Sequence, residues 1–205
     1  MKILNLYAGI GGNRKLWEDV EVTAVEMNPK IAEIYQDFFP KDKVVVGDAH
    51  QYLLEHFEEF DFIWASPPCQ THSRPAFIGT YSKEGQMLYR PKYPDMKLYE
   101  EILLLKNYFK GKYCIENVVG FYKPLVRPQE FGMHYFWVNF HITPFKIKSR
   151  EHYGGIEKLQ KLKGFNLEKY LGIDKIKTLR NCVEPETGLH ILNESKRDVQ
   201  PELFR

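Results

Sequence analysis

The amino-acid sequence predicts an α/β fold on a mostly parallel sheet, and three observations lead there. Five short, continuous apolar runs, at residues 3–7, 22–27, 44–46, 60–65 and 113–118, have the β-branched bias of strands buried on both faces. Segments of helical period separate them. Glycines and acids gather just past the ends of the runs, the edge where such sheets bind ligands.

Taken in order, the first run stops at a glycine-rich turn, and the second stops at Glu26 and Met27. A helix is expected over 29–39, because Pro29 suits a first helical position and Ile31, Ile34, Tyr35 and Phe38 form one stripe. The third run leads through Asp48 into a helix over 49–57, and a further helical period covers 96–109. Residues 71–95 lack steady period and mix prolines, basic residues and aromatics, which reads as a long functional loop. Residues 135–142 look like another strand, 156–163 and 167–171 like short helices, and 194–205 like a frayed tail. The expected organisation is a core over 1–145, a reduced recognition segment over 146–178 and a closing segment over 179–205.

With 205 residues, 43% hydrophobic and 15% aromatic, the chain can bury a full core without disulfides and is too apolar for intrinsic disorder. No apolar run approaches the roughly 18 residues of a membrane span. The N-terminus reaches its glycine turn before a signal-peptide core could form, so a cytoplasmic protein is expected. Three cysteines, with no Cys-x-x-Cys pair and no His–Cys cluster, predict neither a disulfide framework nor a metal. Charge divides unevenly: residues 1–65 carry a balance of −6 and residues 66–205 a balance of +8. That division fits ordinary surface chemistry, and it equally fits a small ligand on the first part and a polyanion on the rest.

The strand ends carry the chemistry. Tyr7, Ala8, Gly9, Ile10, Gly11 and Gly12 form a turn whose glycines permit sharp bending and close ligand approach. Glu26 and Asp48 follow at the next two ends. Each alone also fits a helix cap or a solvated acid; together with the glycine turn they favour a nucleoside-containing cofactor. The fourth end reads Ser66-Pro67-Pro68-Cys69-Gln70, where two prolines hold the thiol in one direction. Cys114, inside its run, reads as a buried small hydrophobe. The fifth end, Glu116-Asn117-Val118, adds a carboxylate on the same edge.

In this order and on these ends, Ala8 to Gly12, then Pro67-Pro68-Cys69-Gln70, then Glu116-Asn117-Val118 resemble the cytosine-C5 methyltransferases, over residues 1–142. Arg180-Asn181-Cys182-Val183 resembles the family's late cofactor-closing motif. The resemblance implies a Rossmann-like, S-adenosylmethionine-dependent fold with a very small recognition region, of the kind in phage or restriction–modification members. It assigns Tyr7 and Gly9 to Gly12 to the cofactor pocket, with Ala8, Met27 and Ala49 beside them. Glu26 goes to the ribose, Asp48 to the adenine, Pro68 to the methyl-donor side and Asn181 to the methionine moiety. It makes Cys69 the nucleophile on C6 of a flipped-out cytosine and Glu116 the group that holds N3 and the exocyclic amine. The basic loop would then close over the base, with Arg74, Arg90, Lys92 and Asn117 meeting nucleic acid.

Two departures stand out. Where the family has an arginine-rich Gln-x-Arg-x-Arg stretch, this chain has Gln129-Glu130-Phe131-Gly132-Met133-His134, leaving His134 as the nearest polar substitute. Only about forty residues separate Phe140 from Arg180, so target recognition should be minimal, or come from the loop, a protein partner or a second copy. The expected substrate is cytosine in DNA, most simply duplex DNA. The alternatives are an RNA cytosine-C5 methyltransferase, a cofactor-binding regulatory subunit without catalysis, and an enzyme of free nucleotides.

Overall fold

The computed structural model describes residues 1–74, 93–145 and 154–197. Seven strands form one sheet in the order β3-β2-β1-β4-β5-β7-β6. Strands β1 (Lys2–Leu6), β2 (Glu21–Glu26), β3 (Lys43–Val46), β4 (Phe62–Ala65) and β5 (Lys112–Val118) run parallel. Strand β7 (His134–Val138) is antiparallel to β5, and β6 (Gln129–Phe131) is antiparallel to β7. Leu6 pairs with both Val25 and Ala65, and Ala65 pairs with Ile115. That register brings the ends of four parallel strands to one edge, with Glu26, the loop from Ser66 and Glu116 just beyond.

Alternation along each strand sends side chains to opposite faces. On one face Leu4, Leu6, Ile63 and Ile115 pack under Leu53 of α2 (Ala49–His56) and Leu98, Ile102 and Leu105 of α3 (Lys97–Tyr108). On the other, Ile3, Val22, Phe62, Trp64 and Cys114 pack under Trp17 and under Ile191 and Leu192 of α6 (Pro185–Lys196). A third cluster joins Ile10 and Ile34 of α1 (Pro29–Phe38) to Leu159 of α4 (Ile156–Lys163), Phe165, Leu167 and Leu179 of α5 (Lys175–Arg180). Much of the apolar surface of residues 156–182 is therefore used in packing against the N-terminal part.

The five parallel strands and first three helices match expectation within two residues, as does α4. Three expectations are corrected. The strand expected over 135–142 covers only His134–Val138 and forms a hairpin with β6, turning at Gly132 (φ 61°). Residues 167–171 are turn and loop; the helix lies later, at α5, capped by the Asp174 side chain on the Lys177 amide. The tail does not begin at Glu194, which is 2% exposed within α6 and accepts hydrogen bonds from the Thr143 hydroxyl and amide.

Candidate active site

After β1 the chain reverses through positive φ at Tyr7 (54°), Gly9 (55°) and Gly11 (83°). Its glycines do different work. A Cβ at Gly9 would meet nothing within 4 Å, so this residue leaves open space in front of the turn. A Cβ at Gly12 would stand 2.3 Å from both the Cys182 sulfur and the Val183 carbonyl oxygen, and one at Gly11 would strike Phe39 and Tyr35. Those two glycines serve helix and wall packing. Ile10 is buried in the third cluster and Ala8 is buried beside Tyr35.

Glu26, just past β2, accepts from the Gly9 amide (3.0 Å) and the Asn28 amide (2.9 Å), one on each carboxylate oxygen. Two amides fix its orientation and leave lone pairs for a ligand's hydroxyls. Asp48 is the N-cap of α2: one oxygen accepts from the His50 and Gln51 amides, and the other lies 3.6 Å from the Lys97 ammonium. Desolvation acts to raise its pKa, but those amides and Lys97 outweigh it and hold the carboxyl below its ordinary value. Behind the turn, Tyr7 donates its hydroxyl to Glu101 at 2.5 Å, and His50 sits 3.0 Å from the same Glu101 oxygen. Glu101 is fully buried; burial first and its charge second push the Tyr7 phenol far up. The polar knot therefore braces Tyr7 from behind.

Across the cleft, the Asn117 amide donates to the Pro67 carbonyl at 3.0 Å, and its oxygen accepts from the Val118 amide. Asn117 is 2% exposed, so it ties the Pro-Pro-Cys loop to the end of β5. Cys69 is half-buried; desolvation first, then the Glu116 charge, raises its thiol above the ordinary value. Glu116 is buried, and its Oε1 lies 2.7 Å from Nδ1 of His134. The far wall, Asn181 to Glu184, is propped from inside by the buried Lys163, whose ammonium donates to the Cys182 carbonyl (2.5 Å) and to Glu184 (2.8 Å).

These groups enclose a cleft of about 1070 Å³. It is lined by Tyr7, Gly9, Glu26, Met27, Ala49, Pro68, Cys69, Glu116, Asn117, His134 and Asn181 among the expected residues. Asp48 lines a smaller adjoining pocket of about 160 Å³ together with Tyr7, Met27, Pro68 and Leu98. Ala8, Ile10, Gly11 and Gly12 shape the turn from within without lining either space. Arg74 is exposed next to Ser73, which bridges to Gly120; Arg90 and Lys92 lie outside the described residues. Among the described residues no three histidine, cysteine or acidic side chains group as metal ligands, and no helix is long and apolar enough to cross a membrane.

Sequence reasoning missed the His50–Glu101–Tyr7 knot and the Lys163–Glu184 pair, whose partners are 94 and 21 residues apart at the widest. It also missed Glu184 as a lining residue. No local signal marks any of them.

Residues 1–90 match the family model described as C-5 cytosine-specific DNA methylase. The human tRNA (cytosine(38)-C(5))-methyltransferase is 33% identical over 81 residues, covering 36% of this chain and 21% of that protein. The mouse protein of the same name is 29% identical over 128 residues, covering 59% of this chain and 29% of its own. The matched stretches thus span less than a third of these relatives. A solved mutant of Spodoptera frugiperda DNMT2 aligns with a TM-score of 0.39 at 27% identity, over 58% of this chain and 36% of that one. Over residues 1–90 the chain is similar to the C-5 cytosine-specific DNA methylases, a likeness that implies S-adenosylmethionine as the methyl donor.

Proposed function

We propose that the protein transfers a methyl group from S-adenosylmethionine to C5 of cytosine in a polynucleotide, DNA in the first reading, through a covalent bond between Cys69 and C6. One observation carries the proposal: Cys69 and Glu116 open on the same cleft as Gly9 and Glu26. A base held by Glu116 would therefore lie between the thiol and a cofactor held by the β1 and β2 ends.

The residues fit that cofactor. The open face at Gly9 admits a ligand against the backbone, and Glu26 offers fixed acceptors for ribose hydroxyls. The smaller pocket sets the acceptor Asp48 beside Met27, Pro68 and Leu98, a fit for a flat ring with an amino edge. Asn181, at the end of α5, lines the far side of the cleft. When bound, the cofactor supplies an electrophilic methyl group.

The protein's own residues prepare the base. Burial and the Glu116 charge raise the Cys69 thiol above its ordinary value, which favours the thiol over the thiolate in the free protein. When the Glu116 carboxylate accepts from a cytosine's amino group and shares a proton with its N3, the penalty on a nearby thiolate falls, so nucleophile activation follows base binding. A base stacked in a duplex cannot reach this cleft without leaving the helix. Arg74, with the basic residues after it, suits phosphate contacts, which position a polynucleotide without reading its sequence.

A second reading, that the polynucleotide is RNA, is favoured by the curated relatives, all four of which are named tRNA (cytosine(38)-C(5))-methyltransferases. One experiment separates the readings: purified protein with methyl-labelled S-adenosylmethionine, offered duplex DNA, tRNA and dCTP in parallel. Label in 5-methylcytosine of DNA supports the first reading and label in tRNA the second. Label in dCTP alone, or in none of the three, contradicts both.

A further inference from the structure

We propose that His134 holds the proton that Glu116 delivers to the base, so that the pair, rather than Glu116 alone, meets the cytosine. This rests on the cytosine-methylating reading above and adds a positioning residue to it.

Register puts the two side chains on one face. Glu116 pairs with Phe136 across the β5–β7 ladder, and His134 stands two residues from Phe136, so Glu116 and His134 are diagonal neighbours. Their contact, 2.7 Å from Nδ1 to Oε1, is at charge-assisted hydrogen-bond length. Both side chains line the cleft, with Glu116 buried and the His134 side chain 19% accessible. No arginine stands in the Gln129 to His134 stretch, which makes His134 the cation on this side of Glu116 among the described residues of that stretch.

Other charged and titratable groups face the ring. Cys69 opens on the cleft from the loop after β4, and Glu184, Lys163 and Arg180 belong to the opposite wall. From its own hairpin, His134 has Phe131 across β6 and the Phe136 ring at 6.3 Å, neither of which titrates. Desolvation acts to lower the imidazole pKa; the Glu116 bond and charge, joined by Glu184, outweigh it and leave it raised. The ring therefore keeps its proton to higher pH than an ordinary histidine.

The proton balance closes. As the Cys69 thiolate adds to C6, the electron pair of the C5–C6 double bond is drawn toward the ring nitrogen system. N3 takes a proton from Glu116, and Glu116 takes one from His134 Nδ1, leaving a neutral imidazole. After methylation the C5 proton leaves to solvent and the S–C6 bond breaks. The N3 proton then returns through Glu116 to His134. No net proton is consumed by the pair over the cycle.

The test compares wild type, His134→Gln and His134→Arg in single-turnover methylation between pH 6 and 9.5, on whichever polynucleotide the wild type labels. It is joined to an NMR titration of the His134 ring in wild type and in Glu116→Gln. Three results are expected. The wild-type rate falls as pH rises through the His134 pKa read by NMR, and Glu116→Gln lowers that pKa. His134→Gln, which keeps a donor and loses the charge, is slower by about 10²-fold, lacks the alkaline fall, and binds S-adenosylmethionine within a few-fold of wild type. His134→Arg keeps a cation beside Glu116 but cannot give up its proton, so it stays about as slow as His134→Gln, and a wild-type rate in His134→Arg would overturn the relay. A wild-type rate and pH profile in His134→Gln would overturn the proposal, as would a His134 pKa unmoved by Glu116→Gln. A wild type that labels no polynucleotide would instead overturn the functional reading, and with it the pair's role in catalysis, whatever the titration shows.

Discussion

The side-chain amide of Asn117 donates to the carbonyl of Pro67 at 3.0 Å, across fifty residues of sequence, and both are buried. Asn117 is therefore the link that sets the Cys69 loop against the end of β5, where Glu116 lies next in sequence. Truncation removes the side chain that satisfies that carbonyl. Asn117→Ala should cost about 1–3 kcal/mol of stability, the scale of a buried acceptor left unpaired, as read by urea denaturation. It should slow methylation by a larger factor than it weakens cofactor binding. A variant as stable as wild type would show that the Cys69 loop is held by other contacts.

The Cys69 thiol gives a pH prediction whose sign follows from its surroundings. Burial and Glu116 raise its pKa, so the neutral thiol persists as pH rises and the reactive thiolate forms only above the range of an ordinary cysteine. Iodoacetamide alkylation, followed by peptide mass spectrometry, should be slow at neutral pH and accelerate on the alkaline side. Glu116→Gln should move that onset to lower pH. Cys114 and Cys182 are buried, and burial first of all pushes the Cys182 thiol up to about 12, so early labelling should fall on Cys69. Onset at an ordinary thiol's pH in both proteins would contradict the assigned field.

Glu26 and Asp48 should separate binding from stability. Glu26→Ala removes the acceptor of the Gly9 amide and should weaken S-adenosylmethionine by about 1–3 kcal/mol in calorimetric titration. Asp48→Ala should weaken it similarly and also lose about 0.5–2 kcal/mol of stability with the cap of α2, whereas Asp48→Asn should keep the cap. Unchanged cofactor affinity in both alanine variants would put the cofactor elsewhere.

The two ends of the glycine turn should respond differently. Gly12→Ala forces a methyl group into the Cys182 sulfur and the Val183 carbonyl, displacing the wall that carries Asn181, and should lower the melting temperature clearly. Gly9→Ala meets open space and bears only the strain of its φ of 55°, of order 1–2 kcal/mol. Thermal unfolding of both, with cofactor affinity of the survivor, checks the order; Gly9→Ala as the more damaging change would reverse the assignment.

How far the fold could be read from the sequence depended on burial. Strands covered on both faces are continuous apolar runs, as in Phe62-Ile63-Trp64-Ala65, and they announce themselves. Strand β6 is Gln-Glu-Phe at the sheet edge, three residues held by β7 alone, and carries no such pattern. Helix α6 was hidden because its polar residues are spent inside: Glu194 binds Thr143, and Thr187 and Ser195 are buried. Residues 167–171 have helical composition, yet they sit between Gly164 and Gly172, both at positive φ, so the chain turns instead. At the site, chemistry-bearing residues on strand ends were legible because a parallel sheet gathers its ends at one edge. The glycines of the turn were legible as a motif, but which of them faces the cleft depends on Cys182 and Val183, some 170 residues away. The Asn117–Pro67 tie was equally out of reach, and it gives Asn117 a bracing role.

The central claim is that Cys69 bonds to C6 of a cytosine, and trapping tests it most directly. Wild type and Cys69→Ala are incubated with S-adenosylmethionine and a polynucleotide, DNA or RNA, carrying 5-fluorocytosine, whose fluorine blocks the final elimination. Wild type should give a protein–polynucleotide adduct that survives a denaturing gel, with the cross-link on Cys69 by peptide mass spectrometry, and Cys69→Ala should give none. An adduct of equal yield in Cys69→Ala, or methyl transfer to unmodified cytosine at the wild-type rate in that variant, would contradict the covalent role of Cys69.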